Sequence, residues 1–406
     1  MKLSPRGAAR LQARHPWVYR SDVTEAKDVP PGAVVRVRDE RGKFLGTALY
    51  SSSSQIAIRM ISHGSVADLP ALIAERIHAA IAYRKELVSN TDAYRIVFSE
   101  ADFLPGLIVD RYNDVITLQI LTQAMDAAPV REAVLQTLRE ELQPAGIVER
   151  VDPRIRELEQ LPARPSGLLW GEKSSTVVSM NGSMNGSMNG CMNGGEMNYV
   201  RFHYDGLEGQ KTGAFLDQRE NYAAAAQYGH GEALDAFCYQ GGFALHLAVH
   251  PAAKCSSVTG VDSSRPALEM AEKNATLNGR ELEWIEGNAF DLLRDYAAAG
   301  RRYDTIVLDP PAFAKSKRDL EKALGGYKEL NLRAMKMLRP GGILVTCSCS
   351  FHVSAADFLG VVANAAQDAH KSLRVVENRG AARDHPILLN VPETSYLKCL
   401  ILSVSN

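Results

Sequence analysis

The chain has 406 residues, 46% of them hydrophobic and 23% charged, with a formal net charge of −1. That length predicts two or three domains, and the composition excludes a disordered or fibrous chain. No apolar run is long enough for a membrane span, none at the start has the form of a signal peptide, and the balanced charge gives no global sign of a nucleic-acid partner.

In chain order, the first feature is local charge. Lys2, Arg6, Arg10, Arg14 and Arg20 precede the first acid, Asp22, and three of the arginines are spaced by four. As a helix they would share one face, which suits either phosphate contact or a solvated basic surface. Small all-β structure follows: Val34 to Arg38 alternates, Asp39-Glu40-Arg41-Gly42 turns, Lys43 to Tyr50 returns, and Gln55 to Ile61 adds a strand. Leu72, Ile73, Ile77 and Ile81 fall at helical spacing within Leu69 to Leu87. A second β-rich block is expected at Arg95–Phe98, Leu107–Asp110, Val115–Leu121 and Gly146–Glu149, with a helix over 127–142.

Between 179 and 194 a Ser/Cys-Met-Asn-Gly tetrapeptide repeats four times. Frequent glycine and Asn-Gly favour turns and oppose a core, so this reads as a solvent loop expanded from a hairpin tip. From about Tyr199 strands alternate with helices. Strands are expected at Ala233–Phe237, Ser257–Asp262, Leu282–Glu286, Tyr303–Asp309, Gly342–Cys347, Leu373–Glu377 and Leu397–Val404. Helices include Pro266–Asn278 and Tyr327–Leu338. This is the pattern of a parallel, doubly wound sheet with its ligand at the carboxyl ends of the strands.

Several segments carry chemistry. Asp235-Ala-Phe237-Cys-Tyr-Gln-Gly241-Gly242-Phe243 follows the first strand of this sheet, where glycines allow close approach to a cofactor. It is not G-x-G-x-x-G, which disfavours a dinucleotide dehydrogenase. Asp262 ends the second strand, ahead of a Ser264 cap and Pro266; it can bind ribose hydroxyls or simply favour the helix N-terminus. Asn288 can accept from an adenine amino group or cap a helix. Gly209-Gln210-Lys211-Thr212-Gly213 lacks the glycine that a phosphate loop places before its lysine. The residues that follow, Ala214 to Arg219, read either as a loop folding over a cofactor or as a surface turn.

Asp309-Pro310-Pro311-Ala312-Phe313 ends the fourth strand. Its prolines stiffen the chain and remove two donors, so carbonyls can accept from an amino group while Phe313 stacks on a ring. In Thr346-Cys347-Ser348-Cys349-Ser350, Cys347 closes an apolar run and reads as core, whereas Cys349 lies among serines at the sheet's edge and is the better nucleophile. The six cysteines show no disulfide framework, which predicts a reducing cytoplasm, and Cys347-x-Cys349 has no nearby second pair to make a zinc site.

The ordered set His15-Pro-Trp-Val-Tyr19, Glu100-Ala-Asp-Phe-Leu-Pro-Gly-Leu-Ile-Val-Asp-Arg-Tyr112, Gly209–Arg219, Asp235–Phe243, Asp309–Phe313, Ser348-Cys349-Ser350, Asp384-His-Pro386 and Tyr396-Leu-Lys398 resembles one family. This is the family of bacterial large-subunit ribosomal RNA methyltransferases, whose best-known type makes 5-methylcytosine. The resemblance implies an α/β fold: a Rossmann-like, class I methyltransferase domain (199–406), preceded by a β-rich PUA domain (1–68) and a middle α+β domain (69–198). It implies S-adenosyl-L-methionine as cofactor, bound by Gln210, Thr212, Phe215, Asp217, Gln218, Asp235, Phe237, Gly241, Gly242, Asp262, Asn288 and Asp309. Catalysis would fall on Cys349, Asp309 and Pro310, and RNA contacts on Arg6, Arg10, Arg14, Lys211 and Arg219. The implied partner is large-subunit ribosomal RNA, with no metal and no membrane; a homodimer is left open. Asn288 stands where the family usually has an acid, and the tetrapeptide insertion is not a family feature. Two alternatives stay open: transfer to a guanine nitrogen, which needs no cysteine, and a catalytically silent RNA-binding protein.

Overall fold

A computed structural model describes residues 1–26, 28–181, 199–208, 215–314 and 316–405. The chain forms two compact units: Met1–Val177 with Tyr204–Ala214 and Arg383–Thr394, and Val178–His203 with Phe215–Ala382 and Ser395–Asn406. Among the described residues, no helix is long and apolar enough to cross a membrane.

In the first unit, helix Pro5–Gln12 starts at Ser4, whose Oγ accepts from the Gly7 N–H, and has proline in its first turn. It ends with Ala13 as C-cap, and Arg14 is left-handed at φ 65°. Arg14 therefore lies beyond the helix, and the three arginines do not share a helical face as the spacing suggested. A six-stranded sheet follows the order Trp17–Tyr19, Ile56–Ser62, Phe44–Tyr50, Val34–Arg38, Lys2–Leu3, Val23–Glu25 among the described residues. A five-stranded sheet runs Gly167–Gly171, Gly146–Glu149, Val115–Ile120, Leu107–Tyr112, Ala93–Phe98. Ile73, Ile77 and Ile81 of helix Leu69–Leu87 and Val130, Val134 and Leu138 of helix Ala128–Leu142 pack on its apolar side. Leu49 and Ile61, from the first sheet, lie in that same cluster, so the two sheets share a core.

A two-stranded ribbon, Ser175–Met180 with Val200–Asp205, brackets the tetrapeptide segment, whose residues 182–194 lie outside the described residues.

The second unit is built on seven strands: β1 His230–Ala236, β2 Lys254–Asp262, β3 Glu283–Glu286, β4 Tyr303–Leu308, β5 Leu338–Ser348, β6 Leu373–Arg379 and β7 Lys398–Val404. Among the described residues their order is β3-β2-β1-β4-β5-β7-β6. Strands β1 to β5 are parallel; β7 is antiparallel to both β5 and β6. Helices cover both faces. On one face α1 (Arg219–Tyr228) and α2 (Gly242–Val249) bury Tyr222, Phe243 and Leu247. On the other, α4 (Ala289–Ala298), α5 (Leu320–Met337) and α6 (Ala355–Asp368) bury Leu293, Tyr327, Met335 and Phe358. Helix α3 (Arg265–Leu277) opens with the Ser264 cap read from the sequence. The strand order reverses between β1 and β4, so their carboxyl ends flank the crevice where such sheets hold ligands.

Candidate active site

The turn after β1 is tightly shaped. Phe237 and Tyr239 adopt positive φ angles of 70° and 48°, and Gly241 stands at 86° as the N-cap of α2. A Cβ on Gly242 would lie 2.5 Å from the Tyr222 ring, so glycine there admits a buried tyrosine beneath the turn. Asp235, at the end of β1, is fully buried. One carboxyl oxygen accepts from the Ala244 N–H at 2.8 Å, while Oδ1 has no hydrogen-bond partner among the described residues. Burial, opposed by that hydrogen bond and reinforced by the charges of Asp309 and Asp262, pushes its pKa well above the ordinary carboxylate range.

Asp262, at the end of β2, accepts from the Tyr239 N–H and the Ser264 N–H, both at 2.9 Å. The turn and the carboxylate thus hold one another in place. Phe215 sets its ring edge-on to Tyr239, with centroids 5.1 Å apart. Leu216, Asp217, Gln218 and Arg219 are buried, which excludes the surface-turn reading for these four residues. Asp217 accepts from the Tyr396 hydroxyl at 2.6 Å. Gln218 donates to Asp309 at 3.0 Å and accepts from Asn221 at 2.6 Å.

The structure therefore brings together Phe215, Gln218, Asp235, Phe237, Gly241, Gly242, Asp262 and Asp309 around the carboxyl ends of β1, β2 and β4. Asn288 caps α4, its side-chain oxygen accepting from the Phe290 N–H at 2.9 Å. Its oxygen already has a backbone donor, which is the second of the two roles read from the sequence. Gln210, Thr212 and Lys211 lie outside the described residues.

Two cysteines face different surroundings. Cys347 is 0% exposed, sits in register opposite Cys399, and burial raises its thiol pKa well above the usual value. Cys349 follows the end of β5, is partly exposed, and its Sγ lies 4.0 Å from the Pro310 carbonyl oxygen. A hydrogen-bond network locks this juxtaposition. The Ser350 hydroxyl accepts from the Phe313 and Ala314 N–H groups at 3.0 and 3.2 Å and shares a hydrogen bond with Tyr327 at 2.9 Å. Ser348 donates to the same tyrosine at 2.9 Å.

Phe313 packs against Phe290 and Tyr327, with ring centroids 5.7 and 4.7 Å apart. The basic residues assigned to RNA are also changed by their surroundings. Arg6 pairs with Asp22 at 2.8 Å and Arg10 lies over the Tyr19 ring, whereas Arg14 is exposed. Arg219 is 2% exposed, so its assignment to direct phosphate contact is not supported by its position. Sequence reasoning gave no role to Tyr327, Ser350 or Lys398. The last is a single charge inside the apolar run Leu397 to Leu402, a signal that was available.

A doubly wound sheet with a glycine turn after β1, an acid ending β2 and Asp-Pro-Pro after β4 defines a Rossmann-like methyltransferase. Comparison with known proteins agrees. Residues 190–402 match the S-adenosylmethionine-dependent methyltransferase family and residues 1–63 the PUA-like domain family. Among solved structures, an S-adenosylmethionine-dependent methyltransferase from Streptococcus mutans superposes with a TM-score of 0.79 at 17% identity, covering 100% of both chains. A methyltransferase solved in complex with SAH gives a TM-score of 0.80 at 17% identity, covering 100% of this chain and 99% of that one. These establish the fold. The chain is 37% identical over 400 residues to ribosomal RNA large subunit methyltransferase I of Tolumonas auensis, covering 97% of this chain and 96% of that protein. It is also 37% identical over 413 residues to the protein of that name from Shewanella denitrificans, covering 100% and 99%.

The chain belongs to the ribosomal RNA large subunit methyltransferase I family. It is an S-adenosylmethionine-dependent methyltransferase. The site fits that cofactor: a buried carboxyl oxygen without a partner, a turn with two adjacent positions free of side chains, and two further carboxylates at the strand ends.

Proposed function

We propose that this enzyme methylates carbon 5 of a cytosine in large-subunit ribosomal RNA, with Cys349 as a covalent catalyst. The names of the full-length relatives support ribosomal RNA as substrate. One observation carries the choice of chemistry: Cys349 stands at the open end of β5 beside Pro310, while its neighbour Cys347 is sealed in the core.

Carbon 5 of cytosine is a poor nucleophile until a group adds at carbon 6. The Cys349 thiolate would form an S–C6 bond, shifting the C5=C6 electron pair towards carbon 5 and the ring's amidine. Asp309 and the Pro310 carbonyl would hold the polar edge of the base and stabilise the charge that develops there. Bound S-adenosylmethionine supplies an electrophilic methyl group. Once carbon 5 has taken that methyl, loss of its proton and cleavage of the Cys349 S–C6 bond would restore the C5=C6 bond and free the enzyme. Asp262 would take ribose hydroxyls, and Asp235 Oδ1 would gain a donor from the cofactor. The target base must leave its stack to enter such a site, so the N-terminal unit would grip the surrounding RNA, with Arg14 adding salt-sensitive affinity.

Cys349→Ala is expected to abolish methyl transfer while S-adenosylmethionine still binds by calorimetry, and Cys347→Ala to have a mild effect. Nucleoside analysis of ribosomal RNA from cells with and without the protein should show 5-methylcytosine lost. Full activity of Cys349→Ala, or loss of a methylguanosine instead, would overturn this reading.

A further inference from the structure

Lys398 lies on β7 directly opposite Ser348 of β5 and is 8% exposed. Its ammonium donates to the Ser350 carbonyl at 2.7 Å and to the Tyr396 carbonyl at 2.8 Å. An ammonium has three donors, so one is left over. No carboxylate pairs with it among the described residues, and Cys349 is the acidic group whose charge would raise its pKa. Carbonyl dipoles orient a buried cation but do not neutralise it, and an uncompensated buried charge is costly. The Ser350 carbonyl that anchors Nζ belongs to the residue next to Cys349 in the chain.

We propose that Lys398 is a positioning residue for Cys349: its ammonium, anchored by the Ser350 and Tyr396 carbonyls, is the counter-ion that stabilises the thiolate of Cys349 over its thiol. This rests on the reading of Cys349 as nucleophile. The thiol's proton goes to solvent and Lys398 keeps its own. The other groups about the thiol do not supply a positive charge. Tyr327, on α5, is neutral with a phenol pKa raised by burial, and Asp309, one residue before Pro310, is an acid. Burial lowers the ammonium's pKa to about 8, while the thiolate acts to raise it. The pair therefore works as an ion pair below that pH and loses its cation above it.

The test is alkylation of Cys349 by iodoacetamide in the full-length protein without RNA, followed by mass spectrometry of its peptide from about pH 6 to 10. The wild-type midpoint should fall below about 8.5, the value for a free cysteine. Lys398→Met should raise it by about one to three pH units, the effect of removing one nearby opposite charge. Lys398→Arg should restore the low midpoint, and both variants should still bind S-adenosylmethionine. A wild-type midpoint at or above that of free cysteine overturns the proposal without any variant, as does an unchanged midpoint in Lys398→Met. Cys349→Ala with intact methyl transfer would instead remove the nucleophile reading, whatever the alkylation profile shows.

Discussion

Asp235 is a carboxyl buried between two other acids, and its electrostatics are open to a direct check. Its folded-state pKa lies above the unfolded value of about 3.9. Its contribution to stability is therefore full below about pH 4 and is lost as pH rises towards the folded value. Asn has the same shape, can still accept from the Ala244 N–H, and does not titrate. The melting temperature of Asp235→Asn relative to wild type is thus expected to climb between about pH 5 and pH 8, in cofactor-free protein. A gap that stays flat across that range would mean that the carboxyl is not charged at a cost in the folded state. Asp235, Asp262 and Asp309 were legible in the sequence because a strand end followed by glycine, serine or proline is a local pattern. The burial of Arg219 was not, since it depends on what the side chain meets once the sheet is assembled.

At the scale of elements, strand positions were readable to within a few residues from apolar runs and turn residues, as with β4 and β6. Helix α5 was read too short. Its start, Leu320, lies about two turns before Tyr327, where the sequence reading began it. Of Gly325 and Gly326 within it, only Gly326 has a packing reason: the Phe313 ring lies 3.3 Å from where a Cβ would stand. The same helix carries Tyr327, whose hydroxyl ties Ser348 and Ser350 of the cysteine segment together. Removing that hydroxyl leaves two buried serines short of a partner. Tyr327→Phe is expected to cost about 1–3 kcal/mol of stability. It should also slow methyl transfer with S-adenosylmethionine affinity unchanged, since the tyrosine touches the cysteine segment and not the glycine turn. Normal turnover in a variant with a lowered melting temperature would show that the network serves folding alone.

At the scale of the whole molecule, chain order and spatial order part company. Residues 383–394 lie within the sequence that matches the methyltransferase family, yet in space they group with the N-terminal unit. A sequence pattern reports neighbours along the chain, and the pairing that places this segment spans about three hundred residues, as between Arg84 and the Asp384 carbonyl. Arg84 is 1% exposed and joins three pieces of that unit. It forms an ion pair with both oxygens of Asp102, donates to the Arg95 carbonyl at 3.1 Å, and donates to the Asp384 carbonyl at 2.9 Å. Asp384 in turn accepts from the Arg95 N–H at 2.8 Å. Removing the guanidinium leaves the Asp102 carboxylate without its buried cation and two carbonyls without that donor, a loss of about 3–5 kcal/mol for a broken buried pair. Arg84→Met keeps most of the volume, so the effect should be electrostatic, not a cavity. Deuterium uptake by 383–394 and by Ala93–Phe98 should rise together in this variant, although the two lie far apart in the chain. If only the strand loosens while 383–394 keeps its protection, Arg84 is not what holds the returning segment.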